Sequence, residues 1–155
     1  MINMKEVEIR KAQKADSRTS NDISKDELIR DTKIHIEDVS SVMNALAGML
    51  ATTGISHDHT KLSQFDDFYD SLNEEGDIKD SEWYKMHITT ERHHLKSNVP
   101  SDVNLLDILE YISDCTVAGL SRSGTIYDLD LPAAVLVKAF KNTCELIKEN
   151  IILVE

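Results

Sequence analysis

At 155 residues, 41% apolar and 29% charged, the chain has the composition of a soluble globular protein and the length of one domain with a real core. Its net charge of −11 is uneven: residues 1–21 carry five basic and three acidic side chains, leaving −13 for the rest. Such a surface repels nucleic-acid duplexes, which are held by neutralising phosphates with Lys and Arg, yet it admits a small phosphorylated ligand near a bound metal. No stretch approaches the roughly 20 apolar residues of a bilayer span, and residues 1–15 lack the apolar core of a signal peptide. The expectation is a cytoplasmic protein with no membrane partner.

Helical signals follow in chain order. Ser24-Lys25-Asp26-Glu27 is a capping box, with Ser24 as N-cap and Glu27 reaching back. An apolar pattern then runs through Leu28, Ile34, Val39, Val42, Met43, Leu46 and Leu50 and stops at Gly54, predicting a long helix with His35 near its middle. Residues 56–61 form a polar junction, and residues 62–72 predict a shorter amphipathic helix. Eight acids and one lysine between residues 63 and 82 mark a solvated face and loop. Ser81 is the predicted cap of a helix carrying Trp83, Met86, Ile88 and the triplet His87, His93 and His94. Ser101 is the predicted cap of the next, with Leu105, Leu106, Leu109, Ile112 and Cys115 on its apolar side. The last helix starts near Pro132, a residue suited to a first turn, and is predicted to reach the C-terminus.

The expected fold is therefore all-α, a single compact domain of about five or more helices over residues 23–155. Residues 1–22 read as a frayed arm or a short added element. Cys115 and Cys144 both fall in helical patterns and read as small core residues without a disulfide. A homo-oligomer is compatible with this composition.

All six histidines lie between His35 and His94. The run His57-Asp58-His59-Thr60-Lys61 offers metal ligands and a cation within about one turn. Each candidate alone has a plain structural explanation: His35 as a core histidine, His57-Asp58 as a helix cap, Asp114 as a surface acid. Their order and spacing argue for more. Asp107, Glu110 and Asp114 line one helix face, beside Ile108, Leu109 and Ile112, so part of that acidic stripe faces inward, where carboxylates need a partner or a metal. His87, Glu91 and His94 share similar spacing one helix earlier. Histidine and carboxylate donors without thiolates suit Mn, Fe, Co, Ni or Zn, one ion or two. His59 points away and reads as surface.

These residues resemble the HD-domain metal-dependent phosphohydrolase superfamily. Its pattern is a histidine on an early helix, an adjacent His-Asp pair and a later aspartate, here His35, His57-Asp58 and Asp114, and in the family all four bind metal. The form with a lysine three residues after the aspartate, here Lys61, looks like the subset related to HD-GYP proteins. There the lysine lies near the metal and the substrate phosphate, and paired histidines, similar to His93-His94, precede the final aspartate. No Gly-Tyr-Pro follows His94, where the chain reads Leu95-Lys96-Ser97-Asn98-Val99-Pro100, so cyclic di-GMP specificity is not carried over. The chain is also similar to small HD-like proteins of bacteria and phages, which have a Glu-x-x-x-Asp helix like Glu110 to Asp114.

The resemblance implies an HD-like helical domain and a phosphomonoesterase or phosphodiesterase acting on a small nucleotide or nucleotide signal. His35, His57, Asp58 and Asp114 would hold one metal, and His87, His93 and His94 a second, with Asp58 between them. Asp58 and Lys61 are the expected catalytic residues. Lys61, Arg92, Lys96 and Arg122 are the expected phosphate partners, with Asp38, Glu91 and Glu110 orienting the ligands. Two other functions remain open: a diiron oxygenase on the same fold, and a non-catalytic module that binds or sequesters a nucleotide.

Overall fold

The computed structural model describes residues 4–15 and 23–154. Its elements run β1 (Val7–Arg10), α1 (Lys25–Ser56), α2 (His59–Ser63), α3 (Phe65–Asn73), α4 (Glu82–Thr90), α5 (Leu105–Ser123), α6 (Ala133–Glu149) and β2 (Ile151–Val154). The protein is mostly helical, as the periodicity predicts. The sequence places a boundary at residue 22, whereas contacts divide the chain into two compact units, Met1–Ala51 with Cys144–Glu155, and Thr52–Thr143.

In the first unit, the capping box forms: Ser24 Oγ accepts from the Glu27 N–H at 3.3 Å, and the Glu27 carboxylate accepts from the Ser24 N–H at 3.1 Å. α1 does not stop at Gly54, where nothing crowds the backbone, but runs on to Ser56. By length and composition the helical stretch Lys25–Ser63 would suffice to cross a membrane. This departs from the sequence reading, because residues 39–56 carry no charge although Ser, Thr and Asn interrupt their apolar character.

β1 lies within the segment read as an arm, of which residues 1–3 and 16–22 fall outside the described residues. It pairs in parallel with β2, Val7 opposite Ile151 through Arg10 opposite Val154. The sequence predicts helix to the C-terminus, but the run Ile-Ile-Leu-Val is short and rich in branched side chains that suit a strand. Arg10 ties β1 to α1, its backbone N–H and Nε donating to Asp38 at 2.6 and 3.1 Å. The Lys14 N–H and the Arg30 guanidinium likewise serve Asp31.

The second unit has its core at Leu95, Val103, Ile108, Tyr111 and Ala139, with Cys115 packed against it. Cys144, read as a core residue, is exposed. The helix predicted over residues 62–72 is two, α2 and α3, separated by a non-helical Gln64. Ser81 caps α4 as predicted, accepting from the Tyr84 N–H at 3.1 Å. Asn104, not Ser101, caps α5: it accepts from the Leu106 N–H while Asp107 accepts from the Asn104 N–H. A Cβ on Gly119 would stand 2.4 Å from the Thr125 carbonyl oxygen, so only glycine lets that loop lie against α5.

Candidate metal centre

α1 ends where Asp58 turns left-handed, with φ 54° and ψ 27°. Aspartate tolerates this conformation better than most residues, and a strained backbone of this kind is worth asking about. Asp58 occupies the N-cap position of α2, yet its side chain caps nothing. Its carboxylate instead sits among rings. Oδ1 lies 3.4 Å from His87 Nε2 and 3.5 Å from His93 Nε2. Oδ2 lies 3.5 Å from His57 Nε2 and accepts from the Lys61 ammonium. Asp114 Oδ1, on α5, is 3.6 Å from the same His57 Nε2. His94 Nε2 meets His87 Nε2 at 2.8 Å.

The remaining ring nitrogens are held from behind. Glu110 Oε1 lies 2.9 Å from His57 Nδ1 and 3.2 Å from His93 Nδ1, so one carboxylate on α5 orients two rings. Thr60, which the sequence reading does not single out, is buried between His87 Nδ1 and Glu91 Oε1, at 2.7 Å from each. Its hydroxyl has one proton and gives it to Glu91, so it accepts from His87 Nδ1–H. His87 Nε2 then carries a lone pair towards Asp58 and His94. The stack of Phe68, Trp83 and His87, with centroids 4.4 and 4.8 Å apart, fixes the ring plane.

Electrostatics divide the rings. Asp114 and Glu110 pull the His57 pKa up to about 10. Burial pushes His87 down, and burial together with the His93 and His87 rings pushes His94 to about 4. Burial opposes ionisation of Glu110, but His57 and His93 outweigh it and bring the carboxyl to about 2. Asp58 is likewise opposed by burial and yet held below the usual carboxylate range, with Lys61 the main cause. Asp114 is lowered chiefly by His57.

Asp58 Oδ1 and His93 Nε2, 3.5 Å apart, are both buried without a hydrogen bond, while His93 Nδ1 has Glu110 beside it. Buried polar atoms are nearly always satisfied, so two orphans facing one another call for a ligand. Asp58, His93 and His94 have donor atoms within 4.8 Å of one another, as do His57, His93 and Glu110. These groups are able to hold a metal ion. In the second set Glu110 is already engaged with His57 Nδ1.

The other predicted residues belong to neither set or are otherwise engaged. His35 is exposed on α1, in the first unit, and belongs to neither set. Asp38, expected to orient it, is bound by Arg10. Arg92 is not free for a phosphate, since Asp107 takes its Nε and Nη2 at 2.7 and 2.8 Å and Asp102 takes Nη1. That pairing also accounts for Asp107, which leaves the acidic stripe to Glu110 and Asp114. Lys96 donates to the Asp128 carbonyl at 2.9 Å. Arg122 is exposed in the last turn of α5. His59, read as surface, is half exposed with Nδ1 3.0 Å from Glu91.

No family model, curated protein or solved structure matches this chain.

Proposed function

We propose that the protein is a metal-dependent phosphohydrolase of the HD type, cleaving a phosphomonoester or phosphodiester of a small nucleotide or nucleotide signal. One observation carries the reading: the half-buried Asp58 carboxylate turns one oxygen to His87 and His93 and the other to His57. A cation on each side would make Asp58 the shared ligand, with His57 and Asp114 on one side and His87, His93 and His94 on the other. Such donors suit Mn, Fe, Co, Ni or Zn. When bound, divalent ions supply Lewis acidity to a phosphoryl oxygen and lower the pKa of water.

The chain's own residues do the rest. Glu110 holds the His57 and His93 rings, and Thr60 fixes the His87 tautomer. Lys61 keeps Asp58 ionised and is the cation in direct contact with the cluster, so it is the group to offset charge on a phosphate. Protein purified without an affinity tag should carry transition metal and hydrolyse a member of a phosphatase and phosphodiesterase panel. His57→Ala/Asp58→Ala should lose both properties. Protein that holds no metal and takes up none sinks the reading.

A second reading draws on the same count of donors. Four histidines (His57, His87, His93, His94) and two aspartates (Asp58, Asp114) also suit a diiron oxygenase. A mixed-valence iron signal in anaerobically purified protein, with no phosphatase activity, would favour it. Nucleotide binding without turnover would instead favour a sequestering module.

A further inference from the structure

We propose that the exposed face of α1 pairs antiparallel with the same face of a second copy of this chain. Ile29, Ile36, Met43 and Leu50 recur every seven residues, and Val39 lies at the intervening position. All five are exposed, Ile36 to 61% and Met43 to 60%. Thr32, Leu46 and Thr53 complete the intervening positions, so the pattern holds from residue 29 to 53. A seven-residue repeat is satisfied by another helix that supercoils with the first, because only then does the seam stay facing its partner. Ser40, Ala47 and Gly54 follow the same period along the edge of the seam and let two backbones approach.

Charge selects the direction. Every charged residue of α1 lies in residues 25–38, and residues 39–56 have none. Residues 25–38 carry three basic and five acidic side chains, so parallel pairing would set two net-negative halves side by side. Antiparallel pairing lays the charged half of one helix along the uncharged half of the other and opposes the helix dipoles. The register that keeps the seams in phase, one residue from full overlap, puts Ile36 of one copy against Leu46 of the other, and Val39 against Met43. A bilayer is the rival occupant. It would ignore the period of seven, and the other side of α1 carries Asp31 and Asp38, both buried and paired.

Sedimentation of the full chain should give twice the 17.5 kDa chain mass at micromolar concentration. Met43→Asp should weaken association by at least about 100-fold, as burying an unpaired charge requires, with far-UV circular dichroism unchanged because the residue is exposed in the single chain. In a Cys115→Ser/Cys144→Ser background, Val39→Cys/Met43→Cys should oxidise to a covalent dimer and Met43→Cys alone should not. A monomeric wild type, a dimer indifferent to Met43→Asp, cross-linking by Met43→Cys alone, or co-sedimentation with phosphatidylcholine vesicles would each overturn the proposal. Should Met43→Asp misfold, the wild-type mass and the cysteine pair still decide.

Discussion

Asp38 in the first unit and Asp58 in the second are both aspartates largely shielded from water, and they are treated in opposite ways. Arg10 meets Asp38 with its backbone N–H and its guanidinium, so the carboxylate's needs are answered by the fold itself. Asp58 leaves Oδ1 without a hydrogen bond, facing the equally unanswered Nε2 of a fully buried His93. An unsatisfied buried group costs roughly 1–3 kcal/mol, so two that face each other leave a place for a partner from outside the chain. Burial of acid alone does not mark a site; burial without an answer does.

The largest expected effect comes from removing Asp58. Asp58→Ala should weaken metal binding by more than the roughly 10–100-fold that loss of an outer partner costs, read by calorimetric titration. Its unfolding free energy should fall slightly, because alanine is strained in the left-handed backbone and Lys61 loses its partner, losses only partly offset by removal of an orphaned oxygen. Asp38→Ala should leave metal uptake intact and lower the thermal midpoint. If the two variants behave alike, the contrast between the two carboxylates is wrong.

Asp107→Ala comes next. It leaves the Arg92 guanidinium only Asp102 and strips the Asn104 N–H of its acceptor, and should destabilise the second unit by roughly 1–3 kcal/mol in urea unfolding, with little change in metal affinity. Thr60→Val keeps shape and removes the hydroxyl between His87 and Glu91. Metal affinity should fall roughly 10–100-fold and stability by roughly 1–3 kcal/mol, because His87 Nδ1–H loses its acceptor. An unchanged affinity would make Thr60 a packing residue only.

The smallest effect is a proton. His57 is held protonated up to about 10 by Asp114 and Glu110, so at pH 7 metal uptake there must expel it. Titrations in buffers of different ionisation enthalpy should show about one proton released, and apparent affinity should climb as pH rises towards 10. Without metal, the same raised pKa stabilises the fold fully below about pH 6.5, and that contribution fades as pH climbs to about 10. Asp38 runs the other way: its lowered pKa contributes above the ordinary carboxylate range and is lost in acid.

The helices were readable where local chemistry decides them. The Ser24 box and the Ser81 cap form as their residues predict. β2 was not readable, because Ile151–Val154 continues the apolar run of α6 and its pairing strand lies at the other end of the chain. The convergence of His57, Asp58, His87, His93, His94 and Asp114 follows the order of their motifs. Asp107 shares their helix face by spacing, but its place three residues after Asn104 makes it a capping partner, a signal present in the sequence. Thr60 titrates nothing, and its only mark was its position between the His-Asp pair and Lys61.

Trp83 is the chain's only tryptophan, and it stacks on His87 at an interplanar angle of 16°. The protein thus contains its own optical probe. Indole emission should report protonation or metal capture at the ring beside it, with no label and no competing fluorophore of its kind.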